Sequence, residues 1–171
     1  MSVNSHKENA PSSVRVSIIT VSDTRTLETD KSGALMEALL SENGHEVFSR
    51  NIVKDEENEI RGAFLSKIEE EDVQAVLING GTGLARRDVT IETISSFFEK
   101  EITGFGELFR MLSYQEDIGP AAMLSRATGG TKDGKAVFIT PGSTGAVRLA
   151  MEKLILPELS HIVFELNKDS K

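Results

Sequence analysis

The chain has no cysteine. That excludes disulfides, zinc–thiolate sites, iron–sulfur ligation and a cysteine nucleophile together, and it fits a reducing cytoplasm. No apolar run approaches the ~20 residues that a membrane-spanning helix needs, so no membrane segment is expected. Positive charge is in short supply too: 19 Lys and Arg against 27 Asp and Glu leave a net charge of −8. Such a field attracts no phosphate backbone, and nucleic acid is not expected as the main partner. Small phosphorylated ligands stay in play, because they need only a local nest of backbone N–H groups and a few cations. The first residues lack an apolar h-region, so no secretory signal is predicted. Residues 1–13 read instead as a polar, flexible arm.

What is present suits one domain over residues 14–171. At 171 residues, 39% hydrophobic and 27% charged, the chain can bury a core without covalent staples. Residues 14–21 (VRVSIITV) form a β-branched run of buried-strand type, ending in Ser22-Asp23-Thr24. Leu35, Met36, Leu39 and Leu40 mark a helix that Gly44 stops. Residues 45–53 return to strand character. Ile60, Phe64 and Ile68 then share one helical stripe. Residues 73–78 (VQAVLI) run straight into Gly80-Gly81-Thr82-Gly83, and Ile91, Ile94 and Phe98 mark the next helix. This β-α-β-α-β-α rhythm predicts a three-layer α/β/α fold with a mostly parallel sheet and right-handed crossovers. Further on, residues 127–131 and 135–140 flank Lys132-Asp133-Gly134, a hairpin signal that adds one antiparallel excursion. Two more helices are expected, one through Val147, Ala150, Met151 and Leu154, the other through Leu159, Ile162, Val163 and Leu166.

Ligands of an open parallel sheet bind outside the carboxyl ends of its strands. Ser22-Asp23-Thr24, residues 80–83 and Pro141-Gly142-Ser143 all follow strands, with Asp55 at the centre of a fourth strand-to-helix loop. If those strands are neighbours, the loops meet on one rim. Gly80, Gly81, Thr82 and Gly83 can cradle a phosphate through backbone N–H groups; an ordinary Gly-rich turn is the plain alternative. The run matches neither GxxxxGK[ST] nor GxGxxG, and no GxSxG is present for a serine hydrolase. Asp88 or Thr90 can be a helix N-cap, worth about 1 kcal/mol. Asp88 also lies five residues past Gly83, and a carboxylate beside phosphates needs a divalent cation between them. Asp88, with Asp55, is therefore a candidate magnesium anchor. Arg86 or Arg87 can neutralise a transferred group or simply be solvated. Asp23 either bonds a ligand or caps its loop, and Asp30 and Ser32 read as cap residues, with a ligand role as the alternative. Ser113 and Ser125 can reach a polar ring, with plain surface serines as the default. Phe105 and Phe109 read as packing or subunit-interface residues. His6, His45 and His161 are scattered, without metal or triad spacing.

Taken together, Gly80-Gly81-Thr82-Gly83, Arg87-Asp88-Val89-Thr90, residues 104–110 (GFGELFR), Leu124-Ser125-Arg126 and Pro141-Gly142-Ser143 resemble the MoaB/MogA molybdopterin adenylyltransferase-like family. Ser143-Thr144, where many members carry a proline, is similar to the MoaB branch. The resemblance covers roughly residues 14–159. It implies a role in molybdenum cofactor biosynthesis: magnesium- and ATP-dependent adenylylation of molybdopterin, with release of pyrophosphate. A non-catalytic molybdopterin-binding oligomer, or a scaffold in the same pathway, is the alternative it leaves. The resemblance further implies a homotrimer or hexamer, contact with other cofactor-assembly enzymes, and a cytoplasmic setting. By the same likeness Asp55 and Asp88 are the catalytic, magnesium-holding carboxylates. Residues 80–83 would hold nucleotide or pterin phosphate, while Ser125, Pro141, Gly142 and Ser143 line the pterin pocket. Ser22, Asp23, Arg87 and Thr90 complete the expected substrate-binding set.

Overall fold

The computed structural model describes residues 10–169. Most of the expected arm, residues 1–9, lies outside the described residues, as do residues 170 and 171. In chain order the elements are β1 (Arg15–Val21), α1 (Lys31–Glu42), β2 (Glu46–Val53), α2 (Glu57–Glu69), β3 (Ala75–Asn79) and α3 (Thr90–Ser95). There follow β4 (Lys100–Glu101), α4 (Thr103–Glu116), a 3₁₀ turn (Gly119–Leu124), β5 (Thr128–Lys132) and β6 (Lys135–Thr140). The chain closes with α5 (Thr144–Ala150), a π turn (Met151–Ile155) and α6 (Leu156–Asn167). The strands form one six-stranded sheet in the order β2-β1-β3-β6-β5-β4. β2, β1, β3 and β6 are mutually parallel, and β5 and β4 supply the antiparallel part.

Successive residues of a strand point to opposite faces, and the central strands are apolar on both. Val16 and Ile18, Ala75 and Leu77, and Ala136 and Phe138 face one cluster, closed by Met36 and Leu40 of α1, Phe105 and Phe109 of α4, and Val147 and Leu159. Ile19 and Val21, Val76 and Ile78, and Val137 and Ile139 face the other, closed by Ile60 and Phe64 of α2 and Ile94 of α3. Helices therefore cover both faces, as the continuous apolar runs require. Phe105 and Phe109 are core packing, with the Phe105 ring 4.8 Å from that of Phe138.

Local signals act where they are placed. Asp30 caps α1, its Oδ1 accepting the Gly33 N–H at 2.9 Å. The β5–β6 turn puts Asp133 at φ 49° and Gly134 at φ 72°, the two left-handed residues that a tight hairpin demands.

Three expectations need correction. The helix expected to reach Phe98 ends at Ser95; Phe98 instead folds over β5, where a Cβ on Gly130 would lie 2.4 Å from its ring. Glu99 and Ile102 then bond to β5 carbonyls, which draws in the unforeseen two-residue strand β4. The last two helices are one continuous rod, joined by the π turn. That turn stands just before Pro157, whose ring would clash with, and whose missing N–H cannot bond, a carbonyl four residues back in a regular helix.

Candidate functional site

β1, β3 and β6 are neighbours, with Thr20, Asn79 and Thr140 in register at their carboxyl ends. Their three loops consequently leave the sheet side by side, and the rim expected from the sequence is observed. Glycine makes this close approach possible. A Cβ on Gly80 (φ +95°) would lie 2.3 Å from the Val21 carbonyl oxygen, and one on Gly142 would lie 3.1 Å from the Gly80 Cα.

The rim encloses a cavity of about 430 Å³. Of the residues singled out in the sequence, Ser22, Gly80, Gly81, Thr82, Gly83, Asp88, Ser125, Pro141 and Gly142 line it. The N–H groups of Gly81, Thr82, Gly83 and Leu84 find no protein acceptor among the described residues. Those on either side are taken: the Gly80 N–H by the Thr140 carbonyl at 3.1 Å, the Ala85 N–H by Asp88 Oδ2 at 3.2 Å. A run of open backbone donors on a Gly-turned loop is the construction that holds anions.

Two carboxylates flank this run. Asp88 stands beside Gly83, where a Cβ would come 2.5 Å from its Oδ2. Asp55, half-buried at the head of α2, stands under Gly81, where a Cβ would lie 3.0 Å from its Oδ1 and 2.2 Å from Thr90 Oγ1. Both Asp55 Oδ1 and Thr90 Oγ1 are buried without a hydrogen-bond partner. Burial, and then the neighbouring Asp88 charge, pushes the Asp55 carboxyl above its usual range. Among the described residues no three of His, Cys, Asp and Glu are grouped so as to hold a metal ion. The orphaned Asp55 oxygen and the nearby Asp88 are nevertheless the residues that would hold a hard cation beside the open N–H run.

Other expected residues sit around the cavity rather than in its wall. Asp23 accepts the Asp55 N–H at 3.0 Å and pairs with the exposed Arg87, so it ties the first rim loop to both. Arg86 is exposed. Ser143 caps α5, accepting the Ala146 N–H at 3.2 Å. The cap reading of Asp88 and Thr90 is corrected: Val89, whose hydrocarbon side chain can accept no bond, is the N-cap of α3, and Asp88 instead accepts the Ala85 N–H. Ser32 donates to the Gly142 carbonyl at 2.6 Å rather than capping α1, and Ser113, given a surface default, is buried on α4. Two cavity arginines escaped attention as site residues. Arg25 donates to the Gly142 carbonyl at 3.0 Å and faces buried Asp30 at 3.6 Å. Arg126 donates to the glycine loop; its place in Leu124-Ser125-Arg126 was the available signal.

Residues 17–161 match the model of a family described as "Probable molybdopterin binding domain". The chain belongs to this family. Within it, the molybdopterin-binding-domain chain is 62% identical over 168 residues to Molybdenum cofactor biosynthesis protein B of Bacillus cereus, covering 98% of this chain and 99% of that one. A crystal structure of a Molybdenum cofactor biosynthesis protein B, 62% identical, superposes with a TM-score of 0.91 over 94% of this chain and 100% of that one. The tungsten cofactor synthesizing protein MoaB from Pyrococcus furiosus, 39% identical, gives 0.82 over 92% and 99%. Family membership and the α/β/α architecture thus agree, and the MoaB branch read from Ser143-Thr144 is the branch these relatives occupy. Among the described residues of the family member no helix is long and apolar enough to cross a membrane.

Proposed function

We propose that the chain serves molybdenum cofactor biosynthesis as a magnesium- and ATP-dependent molybdopterin adenylyltransferase. The observation that carries this reading is the run of open N–H groups at residues 81–84 between Asp55 and Asp88. It supplies donors for phosphate oxygens on one side and carboxylates for a charge-neutralising cation on the other. The names of the relatives support the pathway and the pterin.

In the reaction, an oxygen of the molybdopterin phosphate forms a bond to the α-phosphorus of ATP, and the bond to the departing pyrophosphate breaks. Two polyanions must meet, so positioning and charge neutralisation dominate and no covalent nucleophile is needed. The N–H groups of residues 81–84 orient one phosphate, and Arg25 and Ser125 face the other ligand across the cavity. Arg87 is free to leave Asp23 for a transferred group. Asp55 and Asp88 would hold magnesium, which would supply neutralisation of the phosphate charge.

The exposed apolar residues Leu108, Met111 and Tyr114 on α4, with Ile118, Met123 and Leu124 beyond it, form the surface on which copies would assemble as a trimer or hexamer, in a cytoplasmic setting. Light scattering tests the assembly. The activity is tested by mass spectrometry of molybdopterin incubated with the protein, ATP and magnesium. Adenylylated pterin from wild type and none from a folded Asp88→Asn variant is the expected result. Retained pterin binding without product would make the chain a non-catalytic binding oligomer. Binding of another cofactor-assembly enzyme that is indifferent to Asp88 would make it a scaffold.

A further inference from the structure

We propose that Arg126 is a positioning residue that sets both the open N–H run and the backbone of Asp88, without itself holding substrate. The inference rests on the adenylyl-transfer reading of the site.

Arg126 enters from far along the chain, after α4 and the 3₁₀ turn. Its Nε donates to the Thr82 carbonyl at 2.9 Å. Its Nη2 donates to the Gly83 carbonyl at 2.8 Å and to the Asp88 carbonyl at 3.4 Å. Nη1 bonds Glu92 Oε1, and Nη2 reaches Glu92 Oε2 at 3.4 Å. A guanidinium offers five N–H donors in a rigid plane, and these contacts engage all three of its nitrogens. The group is therefore a cross-link between the glycine loop and α3, though it lies in the cavity wall. The Arg126 bond holds the Glu92 carboxyl below its usual range, so the cation is matched inside the protein.

Peptide geometry carries the consequence. In a planar trans peptide the C=O and the following N–H point in opposite directions. Holding the Thr82 and Gly83 carbonyls on Arg126 directs the Gly83 and Leu84 N–H groups away from it, and these are two of the four open donors. The third carbonyl belongs to Asp88, so the same fork fixes where the carboxylate's backbone stands. A lysine keeps the charge but offers a single nitrogen, which cannot hold three carbonyls in fixed relation.

The test compares Arg126→Lys and Glu92→Gln with wild type. For Arg126→Lys we expect kcat for adenylyl transfer to fall about tenfold to a hundredfold, the size of effect that misplaced reacting groups produce. The melting temperature should change little, while the KM for ATP should rise with the disturbed donor run. Glu92→Gln, which keeps the backbone contacts, should lose clearly less. Hydrogen exchange should quicken at the bonded amides of Ala85, Asp88 and Thr90 in Arg126→Lys and not at β1. Wild-type kcat in Arg126→Lys overturns the inference, and so does unchanged exchange at those three amides. If wild type itself makes no adenylylated pterin, the catalytic reading fails separately. Exchange and inorganic pyrophosphate binding then decide the role of Arg126: weaker binding with faster exchange in Arg126→Lys upholds it, and wild-type values in both overturn it.

Discussion

Alanine placed at three glycines separates backbone conformation from crowding beneath the rim. At Gly81 the new methyl would meet Thr90 Oγ1 at 2.2 Å, Asp55 Oδ1 at 3.0 Å and Val21 Cγ1 at 3.2 Å, on a backbone at φ +65°. A left-handed alanine costs about 1–2 kcal/mol, and overpacking adds about 1–3 kcal/mol, so Gly81→Ala should lose about 2–5 kcal/mol. At Gly44 the backbone is also left-handed (φ +80°), but nothing lies within 4 Å of the added carbon. Gly44→Ala should therefore lose only the conformational part, about 1–2 kcal/mol. Gly62 sits exposed inside α2 with open space around it, and there alanine should add about 0.5–1 kcal/mol by restricting the unfolded chain. Urea unfolding followed by circular dichroism measures all three. For a chain of this size about 1 kcal/mol moves the melting point by about 2–4 °C, so the order is also visible thermally. Equal losses at Gly81 and Gly44 would refute the crowding argument. A Gly81→Ala protein as stable as wild type would refute both parts of it.

Phe64 is fully buried between α2 and the sheet, and Phe64→Ala should cost about 3–5 kcal/mol in the same unfolding assay. Asp30 is buried, accepts the Thr20 hydroxyl at 2.9 Å and stands 3.6 Å from Arg25 and Arg50. Asp30→Ala should lose about 3–5 kcal/mol because it leaves buried partners unmatched, while Asp30→Asn, still able to accept, should lose less. His45 Nδ1 accepts the Val14 N–H at 3.1 Å, which requires a neutral ring, and burial lowers its pKa from the ordinary 6.5. The folded pKa thus lies below the unfolded one, so this contribution is complete above 6.5 and lost as pH falls below it. Denaturant midpoints from about pH 7 to about pH 5 should fall more for wild type than for His45→Gln; parallel curves would remove His45 from the account.

Residues 14–21, 73–78 and 135–140 declared their strands because continuous β-branched runs suit a sheet covered on both faces. The rim was legible with them, since loops that follow parallel neighbours must emerge together. Short elements were not: a two-residue β4 has no periodicity to read, and Phe98 kept helical spacing while packing on Gly130. Contacts through space were also beyond the pattern. Arg25 and Arg126 reach carbonyls over a hundred and about forty residues away in the chain, and nothing local marks an arginine as a cross-link. The link from Asp23 to Asp55 and Arg87 joins three loops, and each of those residues had a sufficient local explanation. The cap alternative for Asp88 failed for the same reason, because its partner lay behind it at Ala85.

The π turn at residues 151–155 has a bearing on how the C-terminal rod tolerates change. Val147, Met151, Ile155, Leu159 and Val163 are all buried, at a constant spacing of four. In an unbroken α-helix each such step overshoots a full turn by about 40°, so the row would wind about 160° around the rod over that length. The wider turn absorbs one residue, about 100° of that drift, and keeps both ends of the row on the sheet. It acts as a phase correction. Straightening the turn into a regular α-helix with every residue kept would rotate Leu159 and Val163 about 100° away from the sheet. Removing a single residue from it would instead take away the bulge and leave both facing inward. The rod therefore tolerates the loss of one residue here better than the straightening of the turn.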